Sequence, residues 1–290
     1  MSGMKLTPKV ILFNAAAVLV MGAAVVVQLR DLVNPAQSQV CSGRYNKVVN
    51  FGLERQGQLL TASDIQSTAV GRDFGVMDNY SARMLKDGPA KAALGVRIAA
   101  GTAQPNNPNL PAGGLSFPWI PRVIPANASA ACLGYNIFLP ADFEFDAGGT
   151  LPGISGRRAD GVDRFDTYVE WGSNGEVNQF VLQTSTKGTE HLRTSALSAA
   201  ALPRGRWVRI DQEVVMNQAG AFDGIMRLWV DGALRSEHKQ TEYRTVAEVS
   251  IEGVAADVYF GAQPTYQNFP AARARKAEQI WLTPFELRWN

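Results

Sequence analysis

From about residue 46 onward, apolar and polar positions alternate in short runs, and little of the chain repeats with a helical period. "LGYNIFL", "FDTYVEWG", "QFVLQTS", "RWVRIDQEVVMN", "GIMRLWVDG", "ADVYFGAQ" and "QIWLTPFELRW" are rich in aromatic and β-branched residues and are bounded by Gly, Asn or Asp, which are strand signals. In "RFDTYVEWG", Phe165, Thr167, Val169 and Trp171 share one face and Arg164, Asp166, Tyr168 and Glu170 the other, because strand side chains alternate. The first set predicts core. The second predicts a solvated sheet surface or the wall of a ligand groove. In "RWVRIDQEVVMN", Trp207, Arg209, Asp211 and Glu213 likewise oppose Val208, Ile210, Gln212 and Val214. Asp231-Gly232 directly after a strand predicts a hairpin. Many short strands with turn signals and no internal repeat predict an all-β fold over 46–290, an antiparallel sandwich or jelly roll. Within it, "SARMLKDGPAKAAL" reads as a short helix. The Pro/Asn/Gly-rich stretch "TAQPNNPNLPAGGLSFPWIPRVIPANASA" reads as a long loop, and "GGTLPG" (Gly148–Gly153) as a backbone-shaping rather than a core segment.

The N-terminus has a different pattern. Val10–Leu29 is an apolar run in which only Asn14 and Gln28 are strongly polar. As one N-terminal hydrophobic helix it would span roughly 30 Å, about one hydrocarbon core. Lys5 and Lys9 precede it, while Arg30 and Asp31 cancel after it, so the charge bias sets the N-terminus inside and the remainder outside. The expected organisation is a signal anchor or signal peptide at 1–29, a linker at 30–45 and the β domain at 46–290. Ala36-Gln37-Ser38 would suit cleavage before Gln39, but the apolar run exceeds the usual signal core of about 7–15 residues, which favours retention. Either way the body is extracytoplasmic. The expectation is a single-pass protein of the cell inner membrane with its C-terminal domain in the periplasm or outside, or a secreted one if the segment is cleaved.

Composition narrows the function classes. Of 290 residues, 46% are hydrophobic and 19% charged, enough for a sizeable core and against disorder. A net charge of +2, without a dense basic cluster, argues against nucleic acid. "ARARK" (Ala272–Lys276) reads as a solvated loop. With two histidines and two cysteines and no metal spacing, no metal or other cofactor is expected. Cys41 and Cys132 can pair in an oxidising compartment only if folding brings them within bonding range, a question left open here. Asn127-Ala-Ser129 is a formal glycosylation sequon whose use is not expected.

"YNIFLPADFEFDAGGTLPGISG", "FDTYVEWGSNGE" and "RWVRIDQEVVMNQAGAFDGIMRLWVDG", in that order, resemble polysaccharide lyase family 14 over roughly residues 90–290. The resemblance implies a concanavalin A-like jelly roll whose concave sheet carries a polyuronate groove. Lyases of this kind cleave uronate chains by β-elimination. A cation neutralises the uronate carboxylate, a base removes the C5 proton, and an acid protonates the leaving oxygen. In the family a Lys precedes Leu-Pro-Gly, a following strand reads roughly Phe-Ser-Thr-Arg, and the next carries tyrosines. Here Thr150, Asp166 and Tyr168 occupy those positions, and "EVNQFVLQT" supplies Gln179, Phe180 and Gln183. The resemblance therefore implies a retained scaffold without the family's catalytic Lys, Arg and Tyr.

Substitute chemistry is available. Tyr168 and His191 are the candidate catalytic residues, although His191 fits an ordinary surface histidine better. Candidate ligand contacts are Thr150, Arg157, Arg158, Asp166, Glu170, Gln179 and Arg193, with Lys187 nearby in "TKGTEHLR". Arg157-Arg158 also fits a solvated turn. Trp119 and Trp171 could stack on sugars, although the phase of Trp171 with Phe165 favours core. Asp166 and Glu170, four residues apart on one strand, would stand roughly 13 Å apart, too far for a glycosidase pair. Three functions follow. The first, toward which the sequence leans, is a membrane-tethered extracytoplasmic polysaccharide-binding protein on a lyase-like scaffold, without the usual lyase activity. The others are a divergent active polysaccharide lyase and a structural or accessory subunit of a membrane protein complex. Expected partners are an acidic or neutral polysaccharide, the membrane through the N-terminal helix and, on the third reading, other membrane subunits. Nucleic acid is not among them.

Overall fold

The computed structural model describes residues 39–290 apart from 70–71, 106, 108, 186–187, 195–196 and 262–272, and for Glu190, His191 and Arg193 the backbone alone. The apolar run Val10–Leu29 and the candidate Lys187 lie outside the described residues. Among the described residues, no helix is long and apolar enough to cross a membrane.

In chain order the strands are β1 (Lys47–Asn50), β2 (Glu54–Arg55), β3 (Gln58–Leu59), β4 (Tyr80–Met84), β5 (Ala92–Ile98), β6 (Leu115–Trp119), β7 (Ala130–Phe138), β8 (Gly149–Leu151), β9 (Gly153–Arg157), β10 (Arg164–Trp171), β11 (Val177–Ser185), β12 (Gly188–Arg193), β13 (Trp207–Val215), β14 (Gly224–Val230), β15 (Ala233–Thr241), β16 (Ser250–Phe260), β17 (Glu278–Leu282) and β18 (Glu286–Trp289). Two short helices, α1 (Ala62–Thr68) and α2 (Val76–Asn79), lie between β3 and β4. One antiparallel sheet runs β15-β14-β13-β7-β17-β5-β4, with β18 also on β7 and β1 on β18. A second runs β12-β11-β10-β8-β16-β6, and β9 continues the line of β8 between β10 and β16.

Alternation decides which side chains lie between the sheets. Phe165, Val169 and Trp171 of β10 enter the core, as do Val208, Ile210 and Val214 of β13, so both expected face assignments hold. Tyr135, Ile137, Leu151, Ile154 and Phe285 join them. Each fully buried large apolar side chain contributes about 1.5–3 kcal/mol. The expected hairpin is present. Asp231 takes the left-handed conformation (φ 50°), turning β14 directly into β15.

Four expectations are corrected. "SARMLKDGPAKAAL" is not a helix but β4, a turn and the start of β5, because Tyr80, Ala82 and Met84 pair opposite Val96, Leu94 and Ala92 at a sheet edge. The long Pro-rich loop contains β6, an edge strand, where Pro118 forfeits no essential ladder bond. "GGTLPG" does shape the backbone, yet Gly149–Leu151 is wholly buried as a strand. Finally, the stretch expected to be linker packs onto the domain from residue 39. Cys41 and Cys132 form a disulfide, and Tyr45 and Arg44 close over Glu213 of β13. The Tyr45 hydroxyl donates to Glu213 at 2.8 Å, and Arg44 and Arg227 sit at 3.0 and 2.7 Å. Glu213 is fully buried, and a buried carboxylate is tolerated when it is paired in this way.

The bond ties residues 91 positions apart. Closing a loop of that size in the unfolded chain is worth about 4–5 kcal/mol in the chain-entropy treatment. Replacing both cysteines by serine is expected to lower unfolding stability by that order in urea titrations. A change below about 1 kcal/mol would show that the Tyr45–Glu213–Arg44 contacts hold the strap without the bond.

Candidate functional site

The site is built around the break between β8 and β9. Pro152 has no N–H, so the ladder is interrupted there, and the freed backbone groups turn into the core. The carbonyl of Pro152 accepts the Tyr135 hydroxyl at 3.0 Å. The N–H of Ile154 donates to Thr167 Oγ1 at 2.8 Å and to Gln212 Oε1 at 3.0 Å, while the Thr167 hydroxyl lies 2.8 Å from the Ile154 carbonyl. Buried backbone groups need such partners. A β-carbon on Gly153 would collide with the Thr167 carbonyl, so only glycine lets β9 approach β10 this closely.

On the outer face of the same sheet, β10, β9, β16 and β6 enclose an open cavity of about 320 Å³. Its acids are Asp166, Asp257 and Glu252, and its cations are Arg72, Arg157 and Arg164. Asp257 accepts hydroxyls from three sides: Ser116 at 2.5 Å, Tyr259 at 3.2 Å and Tyr168. Arg157 pairs with Glu252. Although part of Asp166 stays open to solvent, the protein packed around it pushes its pKa up to about 7, helped by the charge of Asp257 and opposed by Arg164 and Arg157. Burial likewise lifts Asp257 to about 6, held down by its three hydroxyl donors. Burial, then the charges of Asp166 and Asp257, push the Tyr168 phenol well above its ordinary value. At neutral pH the cavity therefore holds a neutral phenol and a carboxyl poised to exchange a proton, which are groups fit for hydrogen bonding to sugars or for acid–base chemistry.

The sequence candidates separate clearly. Asp166, Tyr168 and Arg157 line the cavity together. Arg158 turns to Asp160 and Asp163 instead. Thr150 and Glu170 pair across β8 and β10 away from the cavity lining, and the fully buried Thr150 hydroxyl donates to the Gly261 carbonyl at 2.7 Å. Gln179 is corrected as a ligand contact. It stands opposite Val169 and is fully buried on the core face, a placement its period-two phase with Val177 and Val181 already signals. The β12 register sets His191 opposite Leu182 and Arg193 opposite Phe180, in the same sheet as Tyr168 but two strands away. Trp171 is core, and Trp119 packs partly buried against it. Arg275 and Lys276 of the basic run are bound to Asp146 and Asp142. Sequence reasoning missed Ser116, Arg164 and Asp257 as site residues. The signal for Asp257 was an acid inside the apolar run Val254–Phe260. Ser116 sat in a stretch read as loop.

Tyr135→Phe leaves the Pro152 carbonyl buried without its donor and is expected to cost about 1–3 kcal/mol in urea unfolding. A cost near zero would show that the break does not depend on that bond. The raised Asp166 pKa fixes a pH trend. The native state binds this proton more tightly than the unfolded state, so this contribution is fully present below the unfolded value and falls away as pH rises toward about 7. Asp166→Asn is expected to flatten that slope and to melt higher than wild type at alkaline pH. An unchanged slope in thermal melts would refute the assignment.

Comparison with known proteins agrees with the fold. The family model for polysaccharide lyase 14 matches residues 86–272. No curated protein sequence matches the chain. Among solved structures, a marine PL-14 alginate lyase from Aplysia kurodai superposes with a TM-score of 0.62 at 16% identity, over 85% of this chain and 99% of its own. Alginate lyase vAL-1 from Chlorella virus gives 0.56 at 18% identity, over 73% and 90%. An endo-beta-1,4-glucuronan lyase from the fungus Trichoderma reesei gives 0.54 at 13% identity, over 85% and 96%. At these identities the structural likeness is one of fold, while the family match spans well over half of the chain. The chain belongs to polysaccharide lyase family 14.

Proposed function

We propose that this protein binds an acidic polysaccharide in the Asp166–Tyr168–Asp257 cavity without the β-elimination typical of its family. The observation that carries this reading is Thr150. By resemblance it stands where the family carries a catalytic Lys, and its hydroxyl is committed to the Gly261 carbonyl in a fully buried position. No charge arises there to stabilise a uronate carbanion. Tyr168 supports the same reading, because its hydroxyl is engaged by Asp257 and its phenol resists ionisation. The solved relatives named above are described as alginate and glucuronan lyases, which makes polyuronates the first ligands to try. The apolar run Val10–Leu29 supports tethering to a membrane with the body outside the cytoplasm. The Cys41–Cys132 disulfide supports an oxidising compartment.

A specific observation favours a second reading, a divergent lyase. Asp166 titrates near neutrality beside Tyr168 and between arginines. That set contains a base, an acid and a carboxylate neutraliser.

One experiment separates the two. The full chain in mild detergent is incubated with polyuronates while ultraviolet absorbance is followed for unsaturated ends, and the same samples are run in polyuronate affinity gels. The expected result is retardation in the gel, weakened at least tenfold by Arg164→Ala, with no growth of absorbance. Growth of absorbance that Tyr168→Phe and Asp166→Asn both abolish would establish the divergent lyase instead.

A further inference from the structure

The cavity carries both signs of charge. The β9–β10 register sets Arg157 directly opposite Arg164, and Arg72 is also in the lining. Like charges directly opposite each other on paired strands are unfavourable unless something anionic lies between them. Glu252 answers Arg157. Two residues along β10 from Arg164, Asp166 enters the cavity, and Asp257 enters it from β16. The lining thus holds three arginines and three carboxylates. It is neutral when every acid is ionised and positive when one carries a proton.

The two aspartates are not equivalent. Asp257 accepts the hydroxyls of Ser116, Tyr259 and Tyr168, which favour its charged form. Asp166 faces Arg164 along its own strand, Arg157 from β9, and Asp257 and Glu252 from β16. Ser155 stands opposite it on β9 and Leu182 on β11, and His191 of β12 follows Leu182 in register. Two carboxyls lining one cavity, each desolvated by the protein around it, do not both ionise readily, and the one with fewer donors keeps the proton. A neutral carboxyl is a hydrogen-bond donor. An ionised one would repel any anion held by the arginines beside it.

We propose that Asp166 and Asp257 hold one proton between them, carried on Asp166, and that this neutral acid, with Arg164 and Arg157, receives the carboxylate of a uronate residue, so that ligand binding takes up a proton. The proposal rests on the cavity being the glycan site. It explains how an aspartate stands in a uronate groove without excluding the ligand, and it makes glycan capture sensitive to the acidity of the surroundings.

The test is isothermal titration of the full chain in mild detergent with an oligoglucuronate, at several values between about pH 5 and pH 8, in buffers of different ionisation enthalpy. The expected result is proton uptake on binding, and an affinity that falls about tenfold for each pH unit above the Asp166 titration. Asp166→Asn, whose amide donates at every pH, is expected to abolish the slope and keep binding at pH 8. A wild-type affinity independent of pH overturns the proposal. So does a slope that survives Asp166→Asn and disappears in His191→Ala. If no oligoglucuronate binds at any pH, the assignment of the cavity as a uronate site fails. The shared proton is then decided by carbon NMR of the aspartate carboxyls in the ligand-free protein. One carboxyl titrating near neutrality, and shifted by Asp257→Asn, supports it. All aspartates titrating below about pH 5 overturns it.

Discussion

The chain breaks its own β-ladder at Pro152, and much of the molecule is arranged to make that break tolerable. A buried carbonyl or N–H without a partner costs about 1–3 kcal/mol. Here the orphaned groups of Pro152 and Ile154 are met by Tyr135 and Gln212 from the facing sheet and by Thr167 from the neighbouring strand. These three polar side chains are fully buried between the sheets. They hold the two sheets in one relative position, as well as in contact. On the other side of the same break, Tyr168 reaches Asp257 across the corner left by the interruption. Core polar chemistry and cavity chemistry are thus two faces of one backbone irregularity, consistent with the general placement of such irregularities near functional sites.

The two outer sheet faces use charge differently. On the nine-stranded sheet, buried acids are matched by cations. Glu213 lies between Arg44 and Arg227, and Asp211 accepts from Arg209, which also reaches Glu286. Such pairing offsets the desolvation of a buried carboxylate at little net gain. On the seven-stranded sheet, Asp257 is met by hydroxyls rather than cations. Hydroxyls compensate burial only in part, so Asp257 titrates high, and burial with the charge of Asp257 raises Asp166 as well. The contrast separates carboxylates that support the fold from those poised for chemistry.

Much of the fold was legible in the alternation of residues. Phe165, Val169 and Trp171, and Val208, Ile210 and Val214, announce their core faces locally, because a strand's side-chain period is fixed by backbone geometry. The Asp231-Gly232 hairpin was equally local. The helix expected over "SARMLKDGPAKAAL" failed because pairing at a sheet edge outweighed the propensity of its Ala, Leu and Lys residues. Gln179 was misjudged when polarity was weighed above phase. Its neighbours Val177 and Val181 had already assigned it to the core.

By itself, then, the sequence determined most of the strands, their faces, the all-β class and the family, since each is written in short-range pattern or in ordered motifs. It also brought Asp166 and Tyr168 to notice on one strand face. Only the tertiary structure decided which acids, hydroxyls and arginines share a cavity. Asp257 meets Tyr168, Ser116 joins Asp257, Arg157 faces Arg164, and Cys41 reaches Cys132 through strand pairings between distant parts of the chain. Those pairings follow from how two whole sheets bury their apolar faces against each other, a collective constraint that no local stretch of residues contains.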